Sequence, residues 1–147
     1  KRLQKKNLRK PRNKMKAVNA QVTRGLPVGS RIQTCDNSGA KIIELFSVLK
    51  NNTTKGRPQS AGVGDLCMAS VKKGKPEMKA QVVFAVIVRQ KRPYTRPDGM
   101  TVVFEDNSAV VLKDEKGNPK GTIFKGPIAK EAVERWPGIA KVARIVA

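Results

Sequence analysis

The sequence predicts a mainly β protein, a small antiparallel β-barrel with one short helical segment near the C-terminus and a basic N-terminal arm. Three observations carry that expectation. The apolar residues come in short runs bounded by polar turns, which is strand punctuation. One run, VVFAVIV at residues 82–88, is seven apolar residues long. That suits a strand buried on both faces and is short for a helix. Only one segment, close to the end, shows helical spacing.

Taken in order, SRIQTC (30–35) reads as a strand and is stopped by the turn residues DNSG. KIIELFSVLK (41–50) is rich in β-branched and aromatic residues and gives way to the polar stretch NNTTKGRPQSAGVG. DLCMASVKK (65–73) is a third strand, closed by GKPE, and QVVFAVIVR (81–89) is the fourth. TVVFE and AVVLK flank DNS and suggest a hairpin, and KGNPKG then turns into TIFKG. A helix is expected beyond Pro127, placed where a first-turn proline is tolerated. Ala129, Ala132, Val133 and Trp136 share one face, and Pro137 stops it. No internal repeat or second domain is visible. The expected division is an arm over residues 1–20, disordered when free, and a single domain over 21–147.

Charge is the strongest functional signal. The 147 residues carry 31 Lys+Arg against 11 Asp+Glu, a net charge of +20, far more than solubility needs, and this points to a polyanionic partner. Residues 1–16 hold nine of those cations, no anion and few large aliphatic groups, so the arm cannot bury enough surface to offset its chain entropy. The body is basic in its own right. A membrane is the poorer candidate, because no apolar run approaches the roughly 20 residues of a spanning helix. An apolar signal-peptide core is likewise not seen, and an intracellular protein is expected.

Composition argues against catalysis and metal binding. With no histidine there is no Ser-His or Cys-His couple and no His-based metal site. Cys35 and Cys67 read as buried or half-buried thiols. Glu105 and Asp106, and Asp114 with Glu115, read as surface carboxylates and not as an acid/base pair. No enzyme, no cofactor and no metal are expected.

The cations of the body fall at strand ends and in loops: Lys50, Lys55 and Arg57; Lys72, Lys73 and Lys75; Arg89, Lys91, Arg92 and Arg96; Lys120 and Lys125. Gathered at one barrel rim they would face phosphates, to which arginine donates paired hydrogen bonds. Lys5, Lys6, Arg9, Lys10 and Arg12 of the arm are candidates for the same role. Aromatic residues number only six. The phenylalanines lie in apolar strand patterns, leaving Tyr94 as the one candidate for stacking on a base, with packing against Pro93 and Pro97 the equal alternative. Phosphate and shape recognition of a folded RNA fits this better than base readout. DNA packaging stays open on charge alone.

Seven blocks occur in an ordered series: DNSGAK (36–41), AGVGD (61–65), VKKGKPE (71–77), VIVRQKRPYTRPDG (86–99), VFEDNSAVVL (103–112), PKGTIFKGP (119–127) and AKEAVERWPGIAKVA (129–143). In order and spacing the chain, from about Val22 onward, resembles the universal large-subunit ribosomal protein L-fourteen family in its archaeal/eukaryotic form. That resemblance implies a five-stranded barrel with a projecting β-ribbon, a role as a structural constituent of the large subunit, and binding to large-subunit rRNA. It also implies contact with small-subunit rRNA at the subunit interface, with neighbouring ribosomal proteins and with an anti-association initiation factor. Carried to this chain, it puts Lys41, Lys72, Lys73, Arg89, Lys91, Arg92, Arg96 and Lys120 toward RNA. It puts the helical stretch, with Ala129, Lys130, Val133, Glu134 and Pro137, toward protein, and Trp136 in a packing role.

Overall fold

The computed structural model describes residues 16–51, 53 and 55–147. Five strands form a closed barrel: β2 (Arg31–Thr34), β3 (Ala40–Val48), β5 (Leu66–Gly74), β6 (Val82–Arg89) and β9 (Ser108–Leu112). They neighbour one another in that order, and β9 returns to β2. Four pairings are antiparallel and the closing one, β2 with β9, is parallel. The expectation of an antiparallel barrel meets a parity constraint here. Five strands that alternate in direction cannot close without leaving one parallel pair.

Two small ribbons flank the barrel. β1 (Leu26–Pro27) pairs with β4 (Ser60–Ala61), and β7 (Tyr94–Thr95) pairs with β8 (Thr101–Val102). Gln21, in the strap preceding β1, bridges to Thr95 on the other edge of β7. The hairpin expected between TVVFE and AVVLK is not formed, since β8 pairs back onto β7 while β9 joins β6. The intervening polar residues are used otherwise: Asn107 Oδ1 accepts the Lys91 N–H (2.8 Å), and Asp106 binds Arg89. TIFKG contributes one bridge, Asp36 to Phe124, and no strand.

Helices α1 (Lys130–Arg135) and α2 (Pro137–Ala140) follow. Pro137 ends the first and opens the second at its first position, where a missing N–H costs nothing. Pro127 lies ahead of the helix and takes no part in it. Trp136 is buried between the two, and its Nε1–H donates to the Gly64 carbonyl (2.9 Å). Gly117, at φ +90°, lies under the indole. A Cβ there would stand 2.4 Å from the ring.

Two cores result. Inside the barrel pack Ile32, Ile43, Leu45, Ala69, Val71, Ala85, Ile87 and Val111. Outside it, Leu66, Val86, Val88 and Val110 meet Phe124, Ile128, Ala132, Trp136 and Ile139. Strands β6 and β9 serve both, which is why their sequences are continuously apolar instead of alternating. Ala20 and Val22 also pack on the outer core, so the chain already adheres to the body at the point where the arm was expected to end.

The β5–β6 connection holds Ala80 at φ +63° while its N–H bonds the Val71 carbonyl (2.9 Å). An L residue with a Cβ is strained in that region by about 1 kcal/mol. Ala80→Gly is therefore expected to raise stability by up to about 1 kcal/mol, read as a higher urea midpoint with unchanged slope. An unchanged or lower midpoint would contradict it.

Candidate nucleic-acid interface

Strand direction sorts the cations. At one end of the barrel β2, β5 and β9 finish while β3 and β6 begin, and Lys41, Lys73, Lys75, Lys120 and Lys125 lie there or in the loops attached to it. At the other end lie Lys50, Lys55 and Arg57 on the β3–β4 connection, with Lys91 and Arg92 after β6. The single rim expected from the sequence is thus two ends, because successive loops of an up-and-down path alternate between them. Lys72 belongs to neither. It sits on the barrel wall and pairs with Glu44 (3.3 Å), which Arg31 also holds (2.9 Å). Lys5, Lys6, Arg9, Lys10 and Arg12 lie outside the described residues.

The first end carries an open groove of about 620 Å³ lined by the β2–β3 turn, Lys41, Lys75 and Lys125. None of these three lysines has a carboxylate partner among the described residues. The groove's floor is built from groups already engaged. Asn37 Oδ1 accepts the Thr122 N–H (2.8 Å), its amide donates to Thr122 Oγ1 (3.0 Å), and Asp36 Oδ2 accepts the Val111 N–H (3.0 Å). Burial pushes the Asp36 carboxyl above its ordinary range, against the pull of its hydrogen-bond donors. Lys120 stands nearby with its ammonium against the Met78 thioether (2.9 Å).

Three candidates are not presented to a partner. Arg89 is 8 % exposed and spends its guanidinium internally. Nε and Nη2 hold both Asp106 oxygens (2.8 and 2.9 Å), Nη2 also reaches Ser108, and Nη1 donates to the carbonyls of Lys125 and Pro127. Tyr94 is 1 % exposed, so no base can stack on it, and its hydroxyl donates to Glu131 (2.6 Å). Arg96 donates to Glu131 through Nε (2.6 Å) and to the Ala147 carbonyl through Nη2 (2.8 Å). A cationic stretch reads as surface until its carboxylate is found, and here the carboxylates lie 17 and 35 residues away in sequence. Asp106, read as a surface carboxylate, is one of them.

Glu131 was missed. Burial alone pushes its carboxyl up, but the donors Arg96 and Tyr94 together hold it below the usual carboxylate range. Gln90 was also missed: fully buried, it receives the Val63 N–H and donates to the carbonyls of Thr23 and Arg92, tying strap to barrel. Arg24 adds an uncounted cation at the second end, bonded to Asn51 (2.9 Å) and beside Asp65 (3.5 Å).

Of the residues expected to face protein, Ala129 is fully buried as the cap of α1 and Val133 packs against the outer core. Lys130 and Pro137 are exposed, and Glu134 is partly so, 3.9 Å from Lys130. The two thiols are buried, and burial pushes Cys35 to about 11 and Cys67 to about 12. Both are therefore protonated and unreactive. Among the described residues no helix is long and apolar enough to cross a membrane.

The fold and its surface define a small, strongly basic β-barrel protein with exposed cations at both ends of the barrel. The family model of Ribosomal protein L14p/L23e matches residues 25–147, and the chain belongs to that family. It is similar to the "Large ribosomal subunit protein uL14" of Thermoplasma acidophilum (52 % identical), Nanoarchaeum equitans (49 %) and Picrophilus torridus (50 %). Each comparison spans 132 residues, 90 % of this chain and 99 % of the relative. The protein is accordingly a structural ribosomal component and not an enzyme.

Proposed function

We propose that the protein binds large-subunit ribosomal RNA by phosphate and shape recognition, with the groove end of the barrel as its principal contact. One observation carries this reading: Lys41, Lys75 and Lys125 converge on one concave surface and, among the described residues, none pairs with a carboxylate, the Asp36 carboxyl of its floor being buried and held by Ser38 and Val111. Such a cluster repels itself and is relieved by phosphate, with release of the counterions condensed on the RNA. Lys73 and Lys120 extend the same end. The exposed cations of the second end, Lys50, Lys55, Arg57, Lys91 and Arg92, give a second phosphate-binding surface. Small-subunit rRNA at the subunit interface, a partner expected from the family resemblance, is what this second surface would meet. Exposed Lys130, Glu134 and Pro137 are what the helical segment offers to a neighbouring ribosomal protein or an anti-association factor.

The test is a salt titration of binding to large-subunit rRNA, with duplex DNA of equal charge as competitor. Substituting Lys41, Lys75 and Lys125 together by alanine is expected to lower the slope of log K against log salt by about 2 to 3, since each neutralised phosphate contributes roughly 0.7–0.9. Thermal stability should be nearly unchanged, because exposed substitutions usually shift it by no more than about 0.5 kcal/mol each. An unaltered slope, or equal affinity for duplex DNA, would refute the reading.

A further inference from the structure

The groove has features that phosphate contact alone does not require. Its volume, about 620 Å³, falls within the range of roughly 300–1,000 Å³ typical of sites that enclose a small ligand. Its wall includes the half-buried aliphatic side chain of Ile42 beside the lysines. A continuous A-form helix presents a convex, polar backbone, which would leave that apolar surface uncovered. Gln33, on β2 at the groove's edge, is exposed, and its side-chain amide makes no hydrogen bond among the described residues. Its amide offers one acceptor and two donors. Gly39, at φ +97°, brings the turn in under the Lys75 stem, which would stand 3.1 Å from a Cβ there. Asn37 and Asp36 are fixed by their internal bonds, so the site is formed before any ligand arrives.

We infer that this groove receives a single unstacked nucleotide of the bound RNA. Its base lies on the Ile42 side chain with an edge toward the Gln33 amide, and the phosphates on either side meet Lys41, Lys75 and Lys125. The inference rests on the RNA-binding reading above and adds the local RNA structure: a bulged or looped-out position, not a paired helix. Neutral Gln33 separates it from the charge effect, since removing that amide leaves the phosphate contacts intact. Unpaired bases are the ones whose edges a protein can reach in RNA.

The experiment uses the full chain and two sets of hairpin RNAs with the same number of nucleotides, one fully paired and one carrying a single-nucleotide bulge (A, C, G or U in turn). Affinity is read by fluorescence anisotropy at one fixed salt concentration. At least one bulged hairpin is expected to bind about tenfold more tightly than the paired one, the scale of one good base contact. Gln33→Ala should erase that preference and leave paired-hairpin affinity unchanged. Gln33→Glu, nearly the same shape with a negative charge, should weaken the bulged hairpin further. Equal binding of all hairpins by the unaltered protein, or a preference that survives both Gln33 variants, would overturn the inference while the RNA-binding reading stands. Absence of salt-sensitive binding to either set would bring down both.

Discussion

Replacing Arg89 by alanine is expected to destabilise the protein by about 3 kcal/mol, and to do so before any effect on RNA can be read. Removing the guanidinium leaves the carbonyls of Lys125 and Pro127 and the hydroxyl of Ser108 without their donor. An orphaned buried polar group costs about 1–3 kcal/mol. Asp106 keeps partial access to water, its side chain being 41 % exposed, so the loss falls at the lower end of what breaking a buried ion pair costs, about 3–5 kcal/mol. Arg89→Lys should recover little, because one ammonium cannot replace a fork that spans five acceptors. The neighbouring Arg92→Ala is the control. That residue is exposed, and its loss should change stability by no more than about 0.5 kcal/mol while weakening RNA binding. Urea unfolding of the two variants settles the matter, and equal midpoints would show that Arg89 is a surface cation after all.

Glu131→Gln is expected to cost a comparable amount, about 3 kcal/mol, through a different group. Glu131 is the one carboxylate between Arg96 and Tyr94, and its side chain is 4 % exposed. A neutral amide would leave the Arg96 charge, with a 14 % exposed side chain, without its carboxylate partner among the described residues, and would turn an N–H donor toward a donor. The contact ties the β7–β8 ribbon to α1 and the C-terminal residue, so ribbon amides should exchange faster in the variant. The pH dependence follows from the lowered carboxyl. A depressed folded value adds stability that is fully present above the unfolded carboxyl pKa, about 4.3. That stability is lost as pH falls through the folded value. The gap between the parent and Glu131→Gln should therefore be widest near pH 7 and should narrow below about pH 4. A gap of the same size at both would contradict the role given to the ionised carboxylate.

The strands of the barrel were legible because burial leaves its mark locally. β3 and β5 show inside and outside residues within a few positions, and β6 shows continuous apolarity because two cores need it. Pro-Asp-Gly at 97–99 carries turn chemistry, and it stands between β7 and β8. What the chain does with Arg89, Tyr94 and Arg96 was not, since residues crowded with cations look alike whether they face water or a distant carboxylate. The partner decides, and Asp106 and Glu131 are fixed by topology, not by spacing. The expected 101–113 hairpin failed for a related reason: the Asp106-Asn107-Ser108 bend resembles a turn, but its side chains cap Arg89 and Lys91 instead of closing two strands on each other. Of the interface, the residue types were readable and their division between two ends was not. That division needs the strand order, which no local pattern encodes.

On the reading proposed above, lysines at the groove end hold this protein in the large subunit. The most direct measurement is sucrose-gradient sedimentation of cell extract containing the tagged parent chain or the Lys41, Lys75 and Lys125 triple alanine variant, each run at low and at raised salt. The parent is expected at stoichiometric level in the large-subunit and monosome peaks at both salts, and the variant depleted from them as salt rises. A variant that stays in both peaks as fully as the parent would contradict it and would move the RNA contact to another face of the barrel.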